Sequence, residues 1–216
     1  MKDFAEFTGM VIKSIPIGEY DKRITVLTRE RGKLFAFVRG ARRQGSPLLA
    51  CTLPFAYGKF KFYEGRNSFS LHSAKMERFF EEISQDIQKA CYGSYFLEFT
   101  DYYAREFLRE QDMLKLLYIS LLALSRPSIP MRLTRRIFEL RMMVINGEYD
   151  SQPKKLRGET ARYTWHYIIH SPLEKLYTFA IKQEVLEEIE SCMDDMMGEY
   201  IDKEMNSLKI LKAIIT

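Results

Sequence analysis

The sequence predicts an α+β chain of two parts: a five-stranded β-barrel of the OB-like or SH3-like kind over residues 1–78, then an all-α helical bundle over residues 79–216. Three observations carry this. From Glu6 to about Met76, short runs rich in Val, Ile, Thr and aromatics alternate apolar with polar residues at a period near two. Beyond Glu77 the period lengthens to that of helices, and Pro127, Pro130, Pro153 and Pro172 divide the remainder into segments. Five short strands in roughly 75 residues bury little as a flat sheet with open edges, so closure into a small barrel follows.

The strands fall at Thr8–Ile15, Arg23–Thr28, Lys33–Arg39, Phe55–Tyr63 and Ser68–Lys75. Gly18-Glu19-Tyr20-Asp21, Arg31-Gly32, the 39–54 connection and Gly65-Arg66-Asn67 separate them, with Gly32 and Gly65 giving the backbone freedom that tight hairpins need. In the fourth strand, alternation places Tyr57, Lys59, Lys61 and Tyr63 on one face and Ala56, Gly58, Phe60 and Phe62 on the core face. In the third, Lys33 and Arg39 share a face with Phe35 and Phe37, and which aromatics meet the core is left open by the sequence.

In the second half, Ser84 is the expected N-cap of a long helix running to about Arg109. Tyr92, Tyr95, Phe96, Phe99, Tyr102, Tyr103 and Phe107 make this segment unusually aromatic, which fits a core helix better than a platform for bases. Further helices fit Asp112–Ser125, Met131–Asn146 with Asn146-Gly147 as its C-cap, Glu159–His170, and Gln183–Ile215 with a break.

Charge is unevenly spread: 15 Lys+Arg face 7 Asp+Glu up to residue 80, and 18 face 22 beyond it. A cationic front and a mildly acidic back point to a polyanion site at one end. The longest strongly apolar stretch, Leu116 to Leu124, is too short for a bilayer, and no signal-peptide apolar region follows Met1-Lys2-Asp3-Phe4-Ala5-Glu6, so a cytoplasmic protein is expected. Cys51, Cys91 and Cys192 are odd in number and scattered, as for reduced thiols.

No glycine loop has the spacing of a phosphate cradle, and no Gly-x-Ser-x-Gly elbow is present. His166 and His170, at i and i+4, share a helix face but lack the intervening Glu of a zinc protease, so packed or surface histidines are the expected reading. With no catalytic constellation, binding chemistry remains. Val38-Arg39-Gly40-Ala41-Arg42-Arg43 sets three guanidinium groups within five residues directly after a strand. Lys59 and Lys61 interleave with tyrosines, a mixture in which cations follow phosphates while rings stack on bases. Arg132, Arg135 and Arg136 gather on one face of their helix beside an apolar stripe of Leu133, Ile137, Leu140 and Val144, a pattern that suits an acidic peptide with a hydrophobic end.

Several short motifs are collinear with a known family. Gly9-Met10-Val11-Ile12, Gly18-Glu19-Tyr20-Asp21-Lys22-Arg23, Thr28-Arg29-Glu30-Arg31-Gly32-Lys33, Gly40-Ala41-Arg42-Arg43, Ser46-Pro47-Leu48 and Leu53-Pro54-Phe55 resemble, in order and spacing, the N-terminal domain of the RecO recombination-mediator family. Tyr95-Phe96-Leu97-Glu98, Arg136-Ile137-Phe138-Glu139-Leu140-Arg141, Asn146-Gly147-Glu148-Tyr149 and Asn206-Ser207-Leu208-Lys209 are similar to its helical domain. The resemblance implies an OB-fold followed by helices and a non-enzymatic role in DNA repair and homologous recombination. It further implies binding of single- and double-stranded DNA, annealing of complementary strands, and contact with the acidic C-terminal tail of single-stranded-DNA-binding protein. It adds cooperation with RecR in loading recombinase, in a cytoplasmic, nucleoid-associated setting. Carried onto this chain, Arg23, Lys33, Arg39, Arg42 and Arg43 become DNA contacts, joined by Lys59 and Lys61 from the strand pattern, and Arg132, Arg135 and Arg136 become the acidic-tail contacts. An RNA-binding OB protein or a protein-binding scaffold would draw on the same features.

One departure bears on cofactors. Many relatives carry two Cys-x-x-Cys pairs after the turn that ends this helix, whereas the segment from Gly147 to His166 contains no cysteine. A four-thiolate zinc site needs four ligands where this chain has three dispersed cysteines, so neither structural zinc nor another cofactor is expected. The insertion is shortened to residues 147–162, where Lys154, Lys155 and Arg157 are candidate replacement contacts.

Overall fold

The computed structural model describes residues 4–65 and 68–215, so Arg66 and Asn67 of the predicted turn lie outside the described residues, as do Met1, Lys2 and Asp3. The chain divides into two compact units, one of residues 1–81 and 97–114, the other of residues 82–96 and 115–216.

In the first unit, β1 (Phe4–Ile17), β2 (Asp21–Thr28), β3 (Gly32–Val38), β4 (Tyr57–Glu64) and β5 (Phe69–Arg78) close into an OB-like barrel in the order β1-β2-β3-β5-β4. Every pairing is antiparallel except the short parallel contact of β3 with β5. Strand β1 pairs with β4 over its first half and with β2 over its second, and at the bulge between Val11 and Lys13 the consecutive Val11 and Ile12 are both buried. The core holds Val11, Ile24, Val26, Leu34, Ala36, Val38, Phe60, Phe62 and Leu71. Strict alternation in β3 buries Leu34, Ala36 and Val38 and turns Phe35 and Phe37 outward. In β4 it buries Gly58, Phe60 and Phe62, with Lys59 exposed and Tyr57, Lys61 and Tyr63 half-buried.

Gly32 fixes one edge of this barrel. A Cβ there would stand 2.2 Å from the Arg105 carbonyl oxygen, at a φ of +66°. The close approach exists because Lys33 N donates to Arg105 O at 2.9 Å and Phe107 N donates to Arg31 O at 3.0 Å. Those bonds take the backbone groups that a continuing helix would use. The helix expected to reach Arg109 therefore stops at Tyr103.

The described residues form seven α-helices: α1 (Glu81–Ser84), α2 (Ile87–Tyr103), α3 (Gln111–Leu124), α4 (Met131–Asn146), α5 (Glu159–His170), α6 (Gln183–Tyr200) and α7 (Asn206–Ile215). Ser84, expected as an N-cap, instead closes α1, and Asp86 caps α2 by accepting from Lys89 N at 3.1 Å. Gly147, in the left-handed region at φ 76°, ends α4 as Asn146-Gly147 predicts. Tyr92, Tyr95, Phe96, Phe99 and Tyr103 of α2 are buried, so the aromatic helix packs and does not present rings to solvent. Among the described residues no helix is long and apolar enough to cross a membrane.

Candidate nucleic-acid interface

The outer face of β2 and β3 gathers the first set of candidates. Register aligns Ile15 with Arg23, Arg23 with Phe37 and Phe37 with Ser70, and in the adjoining row Lys13 with Thr25 and Thr25 with Phe35. Phe35 and Phe37 are 42% and 43% exposed, far above a core phenylalanine. Two rings on a rigid sheet thus stand beside the exposed Arg23 and Arg39. Neither ring was a candidate by sequence. The signal was present, because Lys33 and Arg39 share their parity, and a face carrying charges at both ends turns to water.

The loop leaving β3 is locked onto the β1–β2 turn. Gly40 N donates to Asp21 Oδ1 at 2.7 Å, Arg42 N to Tyr20 O at 2.8 Å, and the Arg42 guanidinium to Gly18 O at 3.1 Å. The Arg43 guanidinium lies 5.3 Å from the centre of the exposed Tyr20 ring. Among the described residues, Arg23, Arg39, Arg42 and Arg43 form no ion pair, so their charge is available to a ligand. Its field is visible on Lys22, whose pKa is lowered by burial and then by Arg42. The Tyr20 hydroxyl pKa is raised, chiefly by hydrogen bonding with its neighbour Glu19.

Lys33 and the β4 lysines are placed differently. The Lys33 ammonium turns onto Asp101, bonding its carbonyl at 2.6 Å and its carboxylate at 3.1 Å, with the lysine side chain only 17% exposed. Its charge is offset within the fold. Lys59 and Lys61 face outward on β4, but in the closed order β4 neighbours β1 and β5, not β2 or β3. Lys59 stands between Thr8 and Lys75, and Lys61 between Glu6 and Ser73, with its ammonium 4.6 Å from the Phe4 ring centre. They form a separate patch with Phe4, Tyr63 and His72, whose rings lie within 5.0 Å of one another.

The α4 arginines do not make the exposed basic rim that their spacing suggests. Arg135 and Arg136 are buried, and both donate to Glu139, at 2.7 and 3.0 Å, a carboxylate with 0% exposure. Tyr95 donates to the same carboxylate at 2.6 Å. Arg136 also reaches Asp194 at 2.8 Å, and the exposed Arg132 holds Glu190. Three guanidinium groups therefore meet three carboxylates. Burial alone would raise the Glu139 pKa, but Arg135 and Arg136 outweigh it and hold the carboxyl below its usual value. This arrangement is a core network, and no sequence spacing could show that Glu190 and Asp194 of α6 would close it.

In the second unit, Lys154 and Arg157 are exposed, while Lys155 pairs with Asp195 at 2.7 Å. Cys51 and Cys192 are buried, and burial pushes the Cys192 thiol up to about 11. Among the described residues, no three His, Cys, Asp or Glu side chains cluster as metal ligands.

Comparison with known proteins gives a consistent result. Residues 1–80 match the family described as recombination protein O, N terminal. The DNA repair protein RecO of Acetivibrio thermocellus is 24% identical over 98% of this chain and 98% of its own length. That of Caldicellulosiruptor saccharolyticus is 33% identical over 67% of this chain and 59% of its own length, and that of Halalkalibacterium halodurans is 26% identical over 98% and 95%.

Proposed function

Because this chain belongs to the RecO family of DNA repair and recombination proteins, we propose that its barrel binds the DNA backbone without sequence preference and that it acts as a non-enzymatic mediator, annealing complementary strands. The observation carrying this reading is the outward β2–β3 face. Four arginines without acidic partners among the described residues, Arg23, Arg39, Arg42 and Arg43, flank the exposed rings of Phe35 and Phe37. Guanidinium groups neutralise phosphates and release counterions, while the rings accept bases of any identity. A strand held on such a surface repels its complement less, so annealing needs no catalytic group.

Lys33, engaged by Asp101, serves the fold and not the DNA contact, and Lys59 with Lys61 form an auxiliary cationic patch. Contact with RecR and with the acidic tail of single-stranded-DNA-binding protein is part of the same reading. The tail is not assigned to Arg135 and Arg136, since their charge is engaged by Glu139. Of that trio only Arg132 is exposed enough to exchange its partner. The test is a strand-annealing assay, with and without single-stranded-DNA-binding protein, comparing wild type with Phe35→Ala/Phe37→Ala. Faster annealing by wild type and its loss in the variant are expected; equal rates with and without wild-type protein would refute the proposal.

A further inference from the structure

A cleft of about 950 Å³ runs along α5, lined by Lys154, Arg162, Tyr163, His166 and His170 among others, with Glu159 as its one acidic residue. Arg162, His166 and His170 follow at steps of four residues, so they stand in a stripe on one helix face, about 6 Å apart along the axis. The two imidazole rings lie 4.1 Å apart.

The stripe carries little counter-charge of its own. Several other cations of the same unit are held by acids: Arg132, Arg135 and Arg136 by Glu190, Glu139 and Asp194, Lys155 by Asp195, Lys115 by Glu174. Among the described residues Lys154, Arg162, His166 and His170 have no ion pair, although the chain beyond residue 80 carries more acids than bases. The lining also holds an aromatic surface. Tyr163 is 70% exposed and its ring stacks at 6.4 Å on that of Tyr167, one turn further on.

We propose that the α5 cleft is a second single-strand site, in which Lys154, Arg162, His166 and His170 hold successive phosphates and Tyr163 receives a base. The inference rests on the DNA-binding reading of the barrel and extends it, since each unit then carries its own strand contact. A nucleic-acid strand fits better than an acidic peptide because donors recur at a fixed step, as phosphates do, beside an exposed ring. A neutral imidazole still offers one N–H to a phosphate oxygen, and a protonated one offers two.

The experiment is a fluorescence titration of labelled oligothymidylate with the full chain across salt concentrations. It compares wild type, Arg162→Ala/His166→Ala/His170→Ala and the barrel variant Arg42→Ala/Arg43→Ala. The α5 variant is expected to bind roughly tenfold more weakly, with the slope of log K against log salt shallower by about 0.7 while the imidazoles are neutral and by roughly 2 once both are protonated, since each single-strand phosphate neutralised contributes about 0.7. Lys154→Glu, a loop substitution, gives the same direction of change should the triple variant melt early. Weakening by the barrel variant alone overturns the α5 site and leaves the barrel reading standing. No wild-type binding at all overturns both. Loss of binding to a polyglutamate peptide by the α5 variant, with DNA affinity unchanged, overturns the site in favour of an acidic protein segment.

Discussion

Arg42 and Arg136 are both arginines, and their surroundings give them opposite work. Arg42 spends one N–H on Gly18 O and keeps its other donors exposed, whereas Arg136 is buried between Glu139 and Asp194. Glu139→Ala leaves two buried guanidinium groups without their carboxylate, and removing one member of a buried ion network destabilises by about 3–5 kcal/mol. Denaturant unfolding should show that loss, and a change below about 1 kcal/mol would contradict it. Phe37→Ala removes an exposed ring beside Arg23, so stability should hold while oligothymidylate affinity falls by about 1–3 kcal/mol. Lys33→Ala should behave the other way: a lower melting temperature with little change in DNA affinity, read from thermal melts beside the titration. The sequence named Arg39, Arg42 and Arg43 because clustered guanidinium groups after a strand are visible in one dimension, and Arg23 of β2 joined them through the family resemblance. It could not separate Lys33 from them, since Asp101 lies 68 positions away.

At the scale of elements, the barrel strands were legible from their bounding turn residues, from the alternation that β3 and β4 keep over seven residues, and from β-rich composition in β2, which buries Ile24 to Thr28 without a break. The helices were legible from apolar periodicity, and Gly147 ends α4 where the sequence places it. What escaped were ends set by distant partners. Tyr103 terminates α2 because residues 105–107 bond to the start of β3, a long-range contact that no local propensity encodes. Gly32→Ala tests that junction directly. Its Cβ would lie 2.2 Å from Arg105 O and 2.6 Å from Leu108 O, at a φ that L residues seldom adopt, so a substantial fall in melting temperature is expected. An unchanged melt would mean that the junction does not hold as described. The apolar stripe of α4, read from sequence as a groove for a peptide's hydrophobic end, is instead core at Leu133, Ile137 and Leu140, and its arginines are drawn inward by carboxylates, one of them brought from α6.

For the whole molecule, the uneven charge of the two halves separates into distinct physical roles. Arginines of the barrel stay unpaired at the β3 exit, while the α4 arginines, Lys115 and Lys155 of the helical unit each meet an acid. Acid should therefore act first on the helical unit. The folded Glu139 pKa lies below its unfolded value, so its stabilisation is present above the unfolded pKa of about 4.3 and is lost as pH falls through the lower folded value. A melting temperature that stays level above about pH 5 and drops below about pH 4, with a smaller drop in Glu139→Gln, is the expected profile. The central claim is that unpaired arginines of the barrel bind phosphates regardless of sequence. The most direct measurement is oligothymidylate affinity against salt for wild type and Arg42→Ala/Arg43→Ala. A steep linear fall in log K, with the variant weaker and its slope shallower by about 1.4, is predicted. A flat plot, or a variant that binds as tightly as wild type, would contradict it.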